Sequence, residues 1–198
     1  CVAEWLAVRG ARRVLLLGRS EPDERALEVF RWMREQGTEV IVQQGDVSEK
    51  GDLAALLESV GDLPLRGVFH CAGVLDDGVL LKQDWGRYRR VLAPKIAGTW
   101  NLHQLTLHSE LEHFVLFSSV ASVMGSAGQS SHAAANAFLD GFAHYRRTLG
   151  LPAISINWGA WSTTGAAVRH DALDRLLGMG VGSIDPKEGL RAMEMLMG

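Results

Sequence analysis

Four polar side chains are spaced as if to meet in one cleft. Ser118-Ser119 closes a short apolar block that reads as a β-strand, His132 follows Ser119 by thirteen residues, and Asn136 stands four residues after His132. Positions i and i+4 share one face of a helix, so the imidazole and the amide can both turn toward a serine hydroxyl at a strand end. Lys95, just after Pro94, can bring a positive charge to the same cleft. A hydroxyl, an imidazole, an amide and an ammonium gathered this way form a set of hydrogen-bond donors in which the imidazole titrates nearest to neutral pH.

The residues after the other apolar blocks point to a second function, ligand binding at the carboxyl ends of parallel strands. Gly18-Arg19-Ser20 offers an arginine and a hydroxyl that could grip the 2′-phosphate separating NADP from NAD, although a plain surface arginine fits the same residues. In Gly45-Asp46-Val47-Ser48 the carboxylate of Asp46 could accept from an adenine amino group, or Asp46 and Ser48 could cap a helix. Cys71-Ala72-Gly73, following His70, is small enough to let a dinucleotide lie against the backbone.

These positions require an alternation of short buried strands and amphipathic helices. Strands are expected at Arg13–Leu17, Glu39–Gln43, Gly67–Cys71, Phe114–Ser118 and Ala153–Asn157. Helices are expected at Val2–Arg9, Pro22–Gln36, Lys50–Ser59, Asp84–His108 with a break at Pro94, Gln129–Leu149, Val168–Leu177 and Pro186–Leu196. Gly10 and Gly37 sit at helix C-caps, and Asp185-Pro186 has the form of an N-cap followed by proline. The resulting fold class is α/β, a Rossmann-like doubly wound parallel sheet. The stretch Gly159–Ala167 reads equally as a lid or as a surface loop.

Composition narrows the partners. Twenty basic residues against twenty-three acidic ones give a net charge of −3, so no positive field draws the chain to nucleic acid. No apolar run approaches the ~20 residues of a membrane span, and no membrane partner is expected. Cys1 and Cys71 lack metal-site or disulfide spacing, which leaves no metal centre in view and suits a reducing, cytoplasmic compartment.

Taken together, Gly18-Arg19-Ser20, Gly45-Asp46-Val47, His70-Cys71-Ala72-Gly73-Val74-Leu75-Asp76-Asp77, Pro94-Lys95-Ile96-Ala97-Gly98, Phe117-Ser118-Ser119, Gly128-Gln129, Ala133–Asp140 and Asn157-Trp158-Gly159 resemble the catalytic half of a ketoreductase domain from a modular type I polyketide synthase. That family lies within the short-chain dehydrogenase/reductase superfamily. The resemblance implies NADPH-dependent reduction of a β-ketoacyl thioester carried on the phosphopantetheine arm of an acyl carrier protein, with other synthase domains as partners. It implies that Ser119, Lys95 and Asn136 are catalytic, and it extends the cofactor-binding set of Arg19, Ser20, Asp46, Cys71, Ala72 and Gly73 to Val47 and Asn157. Leu75-Asp76-Asp77 is similar to the motif of family members that yield the D-configured alcohol, with Met124 where the opposite class tends to place Trp.

Two features depart from the pattern. His132 stands where the family has its tyrosine, and the two tyrosines of the chain, Tyr88 and Tyr145, are placed on another helix and near the far end of the same helix. Loss of a general acid typically lowers a rate by ~10²–10⁴, so reduction is expected to be slow or silent. The alternatives are a catalytically silent structural module of the synthase and a free-standing reductase or NADP sensor. The second departure is the absence of a first strand with a Gly-rich pyrophosphate turn; Gly178–Gly182 follows a helix instead and reads as a C-cap and loop. Residues 1–198 are therefore expected to form a catalytic subdomain of a larger chain, with two half-sheets whose gap an outside strand fills.

Overall fold

A computed structural model of the chain describes residues 1–61, 63–163, 165 and 182–198. The order of elements is α1 (Val2–Val8), β1 (Arg13–Gly18), α2 (Glu24–Glu35), β2 (Glu39–Gln44), α3 (Lys50–Glu58), β3 (Gly67–His70), α4 (Trp85–Leu105), β4 (His113–Ser119), α5 (Ala121–Met124), α6 (Ser130–Thr148), β5 (Ile154–Trp158), β6 (Ala160–Trp161), β7 (Ser183–Ile184) and α7 (Pro186–Met197). All strand pairing is parallel. β1 pairs with β2 from Arg13↔Glu39 to Gly18↔Gln44, and β4 lies between β3 and β5, with Val68↔Phe114 on one side and Ser118↔Asn157 on the other. No ladder joins β1 or β2 to β3 among the described residues, so β1–β2 and β3–β4–β5 stand as the two half-sheets that the sequence pattern implies, beside a short parallel pair of β6 and β7 that it does not predict.

Strand β4 shows why the sheet is buried on both faces. Phe114 and Leu116 point into a core with Leu102 of α4 and Leu139 and Phe142 of α6. The intervening Val115 packs the other way, with Ile156, Trp158, Trp161 and Met193 of α7. Alternation with period two therefore buries Phe114, Val115 and Leu116 on the two faces of the central strand, each contributing roughly 1.5–3 kcal/mol. The first half-sheet has its own core of Ala7, Val14, Met33 and Val40. A buried cation sits at the opposite end of the larger core: the Arg146 guanidinium lies 3.9 Å from the Phe114 ring centroid and donates to Nδ1 of His103 at 2.7 Å.

The helix signals act as their chemistry dictates. Asp23, Asp84 and Asp185 each accept a backbone N–H at the start of α2, α4 and α7, and Pro186 opens α7. Gly10 and Gly37 adopt φ of +86°, where any other residue is strained. The break expected at Pro94 does not occur: α4 runs unbroken from Trp85 to Leu105. Proline removes one helical N–H, but Pro94 is buried and its carbonyl accepts from the His70 ring at 2.9 Å, so tertiary contacts hold the helix together. The short helix Ala121–Met124 and the 3₁₀ turn Leu80–Lys82 carry too few residues to show a period in sequence. The expected helix Val168–Leu177, the glycine-rich stretch at 178–181 and part of the Gly159–Ala167 segment lie outside the described residues. No described helix is long and apolar enough to cross a membrane.

Candidate active site

The carboxyl ends of β3, β4 and β5 bring the predicted polar residues to one edge. Ser119 is the last residue of β4. Lys95 projects from the middle of α4, is buried, and donates from Nζ to the Phe117 carbonyl at 2.6 Å, two residues before Ser119. Its stem lies against the turn after β3: a Cβ on Gly73 would stand 3.1 Å from Lys95 Cε, so glycine is what lets the lysine pass. Helix α6 is tied to the same strand, since Ser118 Oγ donates to the Asn136 carbonyl at 3.2 Å. One turn earlier on α6 comes His132. The Asn136 amide donates to the His132 carbonyl at 2.8 Å and lies 3.2 and 3.3 Å from the two ring nitrogens. Ser119, Lys95, His132 and Asn136 therefore share one edge of the sheet, as their spacing predicts.

Burial sets the charges there. The Lys95 ammonium is pushed down to about 8 by desolvation, with Cys71 and Asp140 pulling the other way, so it remains largely protonated at neutral pH. Burial and the Lys95 charge together push His132 down to about 4, and only Asp77 opposes them. The same two causes push His70 down to about 3. His70 is thus neutral, and because its Nε2 faces a carbonyl, Nε2 carries the proton. Asn136 Oδ1 is buried and has no hydrogen-bond partner among the described residues, which leaves an acceptor for a group not supplied by these side chains.

Asp140, which closes the Ala133–Asp140 motif without a role assigned from sequence, organises the second layer. Asp140 accepts from Ser122 Oγ at 2.6 Å, Ser155 Oγ at 2.6 Å and Asn157 Nδ2 at 2.9 Å. Burial would raise its pKa, but these hydrogen bonds hold it below the ordinary carboxylate range. Asn157 also reaches Ser122 Oγ at 2.8 Å. The carboxylate therefore links α6 to the ends of β4 and β5, next to Ser119. Its signal in sequence is the spacing: Asp140 follows Asn136 by four residues and His132 by eight, on one helix face.

The Leu75-Asp76-Asp77 loop is fixed from two sides. Asp76 is held by the guanidinium groups of Arg87 and Arg90 on α4, the Arg90 contact being 2.6 Å. Gln129 donates to Asp77 at 2.9 Å, and the Gly78 N–H donates to the Gly128 carbonyl at 2.8 Å. Tyr88 comes nearer to this edge than its helix assignment suggests, donating to Ser130 Oγ at 2.7 Å at the start of α6. Tyr145 belongs instead to the aromatic group around His103 and Phe142.

The predicted dinucleotide residues divide. Arg19 and Asp46 line a cavity of about 290 Å³ with Val74, Arg89, Arg90 and Pro94. Ser20 is exposed beside Arg19, and Cys71, Ala72 and Gly73 form the adjoining turn after β3. Asp46 Oδ1 accepts from the N–H and hydroxyl of Ser48 at 2.9 and 2.6 Å, so Asp46 shapes its own turn. Burial would raise its pKa, but the Ser48 hydrogen bonds and the Arg19 charge keep it low. Val47 directs its side chain inward: a Cβ on Gly98 of α4 would lie 2.8 Å from Val47 Cγ1, leaving only Val47 backbone for a ligand. Asn157 sits in the Asp140 network. A cationic side chain and a carboxylate acceptor in one cavity, with the small-residue turn leading to it through Val74, fit the adenosine end of a nicotinamide dinucleotide, and the orphaned Asn136 acceptor lies among the polar groups of the edge.

Comparison with known proteins agrees with this geometry. The family described as "KR domain" matches residues 1–163. The chain is 40% identical over 198 residues to the "Mycocerosic acid synthase-like polyketide synthase" of Mycobacterium tuberculosis, covering 99% of this chain and 9% of that protein. It is 44% identical over 186 residues to "Polyketide synthase GfsB" of Streptomyces halstedii, covering 91% of this chain and 3% of that protein. Among solved structures it superposes on an A-type ketoreductase from a modular polyketide synthase with a TM-score of 0.94 and 38% identity, over 99% of this chain and 42% of the other. For the first ketoreductase of the tylosin synthase the TM-score is 0.85 at 39% identity, over 97% and 42% of the two chains. The chain thus spans a tenth or less of these curated relatives and under half of these solved ones. The match over residues 1–163 coincides with the parallel sheet and with the edge that gathers Lys95, Ser119, His132 and Asn136, and the chain belongs to the ketoreductase, or KR, domain family of polyketide synthases within the short-chain dehydrogenase/reductase superfamily.

Proposed function

We propose that these residues form the catalytic half of an NADPH-dependent ketoreductase domain that reduces a β-ketoacyl thioester, carried by an acyl carrier protein, and that His132 makes the reduction slow at neutral pH. The gathering of Lys95, bonded to the Phe117 carbonyl, and of the His132–Asn136 pair, tied through Ser118, at the strand end that Ser119 closes carries this reading. Arg19, Ser20 and Asp46 would hold the adenosine end, and Cys71, Ala72 and Gly73 would line the path toward Lys95. When bound, the nicotinamide supplies the hydride equivalent that a ketone carbon accepts.

The side chains of the edge serve the ketone oxygen, where negative charge develops. The Ser119 hydroxyl, whose oxygen already accepts from the Ala121 N–H at 3.2 Å, keeps its own proton to donate to that oxygen. Lys95 adds an electrostatic contribution that grows with the charge on the oxygen, which favours the transition state over the ketone. The final proton must come from the group at position 132. A phenol there stays protonated until an alkoxide takes its proton, whereas the imidazole of His132 is held in its neutral form and donates poorly. Leu75-Asp76-Asp77, fixed by Arg87, Arg90 and Gln129 at the mouth of the site, supports a D-configured alcohol as product.

A further strand from the remainder of the polypeptide would join the two half-sheets, and other synthase domains would be its neighbours. The neutral imidazole also favours one other reading, a silent module that keeps the fold and its contacts without turnover. The test uses the full-length protein, NADPH and a soluble β-ketoacyl thioester. Slow formation of the β-hydroxyacyl product, abolished by Ser119→Ala, is the expected result. NADPH binding with no reduction by either the unaltered protein or His132→Tyr would establish the silent module, and failure to bind NADPH would reject the cofactor assignment.

A further inference from the structure

The cavity beyond β1 and β2 holds more positive charge than its neighbours neutralise. Helix α4 carries Arg87, Arg89 and Arg90 in its first two turns, at the positive end of the helix, against one acidic residue at its start, the N-cap Asp84, whose carboxylate is engaged by the Arg87 backbone N–H. Cations gathered there are costly unless an anion answers them. Asp76 answers two of the three, since Arg87 and Arg90 both bind its carboxylate. Arg89 is exposed and makes no hydrogen bond or ion pair among the described residues, yet it lines the cavity.

Arg19 approaches the same cavity from the end of β1, and its guanidinium also makes no hydrogen bond among the described residues. Asp46, the carboxylate among the described lining residues, lies near enough to feel the Arg19 charge, although the two form no ion pair. Arg19 and Asp46 together are near neutral. A phosphate monoester bears close to two negative charges at pH 7 and would meet little net attraction from that pair alone. Arg89, carried into the lining by α4, restores a positive balance.

We propose that Arg19 and Arg89 form a two-arginine clamp for a phosphate monoester, the ribose 2′-phosphate of the cofactor, which makes Arg89 a specificity-determining residue carried by α4. The assignment rests on the reading of this cavity as the adenosine end of a dinucleotide site. A planar guanidinium on each side can give paired N–H donors to the three phosphate oxygens, which a single arginine cannot do.

The test measures binding of 2′,5′-ADP and of 5′-AMP to the full-length protein by calorimetry, with no turnover required. The unaltered protein is expected to prefer 2′,5′-ADP. Arg89→Ala should weaken 2′,5′-ADP about 10- to 100-fold, leave 5′-AMP unchanged and flatten the salt dependence of 2′,5′-ADP binding. Arg89→Lys, which keeps the charge but not the fork, should fall between. An Arg89→Ala protein that binds 2′,5′-ADP normally while Arg19→Ala does not would overturn the clamp and leave the cofactor reading standing. An unaltered protein that does not distinguish the two nucleotides would remove the adenosine site itself.

Discussion

Exchanging His132 for tyrosine should convert a slow reductase into a fast one, and the size of the gain follows from the imidazole's surroundings. With its pKa near 4, about one imidazole in a thousand carries the extra proton at pH 7. If the imidazolium is the effective donor, that fraction adds about 4 kcal/mol to the barrier. A tyrosine phenol, fully protonated below its ordinary value near 10, removes that factor, so His132→Tyr should gain roughly 10³-fold at pH 7. The two proteins should also differ in pH dependence. The charged imidazole becomes more abundant as pH falls, so the unaltered rate should climb about tenfold per unit between pH 7.5 and 5.5, while the tyrosine variant should be nearly flat there. Single-turnover oxidation of saturating NADPH by a soluble β-ketoacyl thioester reads both. An unaltered rate that is flat across the window, or a tyrosine variant that is no faster, would refute the assignment of His132 as a hindered donor.

Asp140→Ala would leave Ser122, Ser155 and Asn157 without their shared acceptor; urea unfolding should show a loss of about 1–3 kcal/mol, and kcat in the His132→Tyr background should fall while NADPH affinity holds. Gly98→Ala places a methyl 2.8 Å from Val47 Cγ1 and should cost about 1–3 kcal/mol by overpacking α4 against the turn after β2, with Gly98→Ala/Val47→Ala recovering part of it in the same assay. Stability should fall on the acid side. His70 and His132 stay neutral in the folded protein down to about 3 and 4, whereas in the unfolded chain they charge near 6.5. Their contribution is present above pH 6.5 and lost as pH falls through the folded values, with about two protons taken up on unfolding near pH 5, or roughly 2.7 kcal/mol per pH unit. A pH series of urea midpoints checks this, and constant stability from pH 7 to 5 would contradict it.

Sequence pattern reached β1 to β5 because each is a short apolar block, and these five differ from expectation by only a residue or two at their ends, whereas the two-residue β6 and β7 are too short to show a pattern. It reached Ser119, His132 and Asn136 because helical spacing and a strand end are local facts. It missed what depends on tertiary contact. Pro94 reads as a break, yet His70 and the surrounding packing carry α4 through it. For Val47 the sequence shows no side-chain direction, which Gly98 on a distant helix sets by opening a niche, so that a ligand there would meet its backbone. Asp140 reads as part of a motif, and only the folded chain shows that it collects donors from β5 and α5. The contrast between Arg89 and its neighbours is likewise invisible until Asp76 folds back to bind Arg87 and Arg90.

The state of one imidazole decides the account most directly. Titration of His132 followed by its ring proton and nitrogen resonances in the full-length protein, assigned by comparison with His132→Tyr, should give a midpoint near 4 that rises when Lys95 is replaced by methionine. A midpoint near the ordinary 6.5, unmoved by Lys95→Met, would place the ring outside the buried edge and contradict its position beside the lysine, the serine and the asparagine.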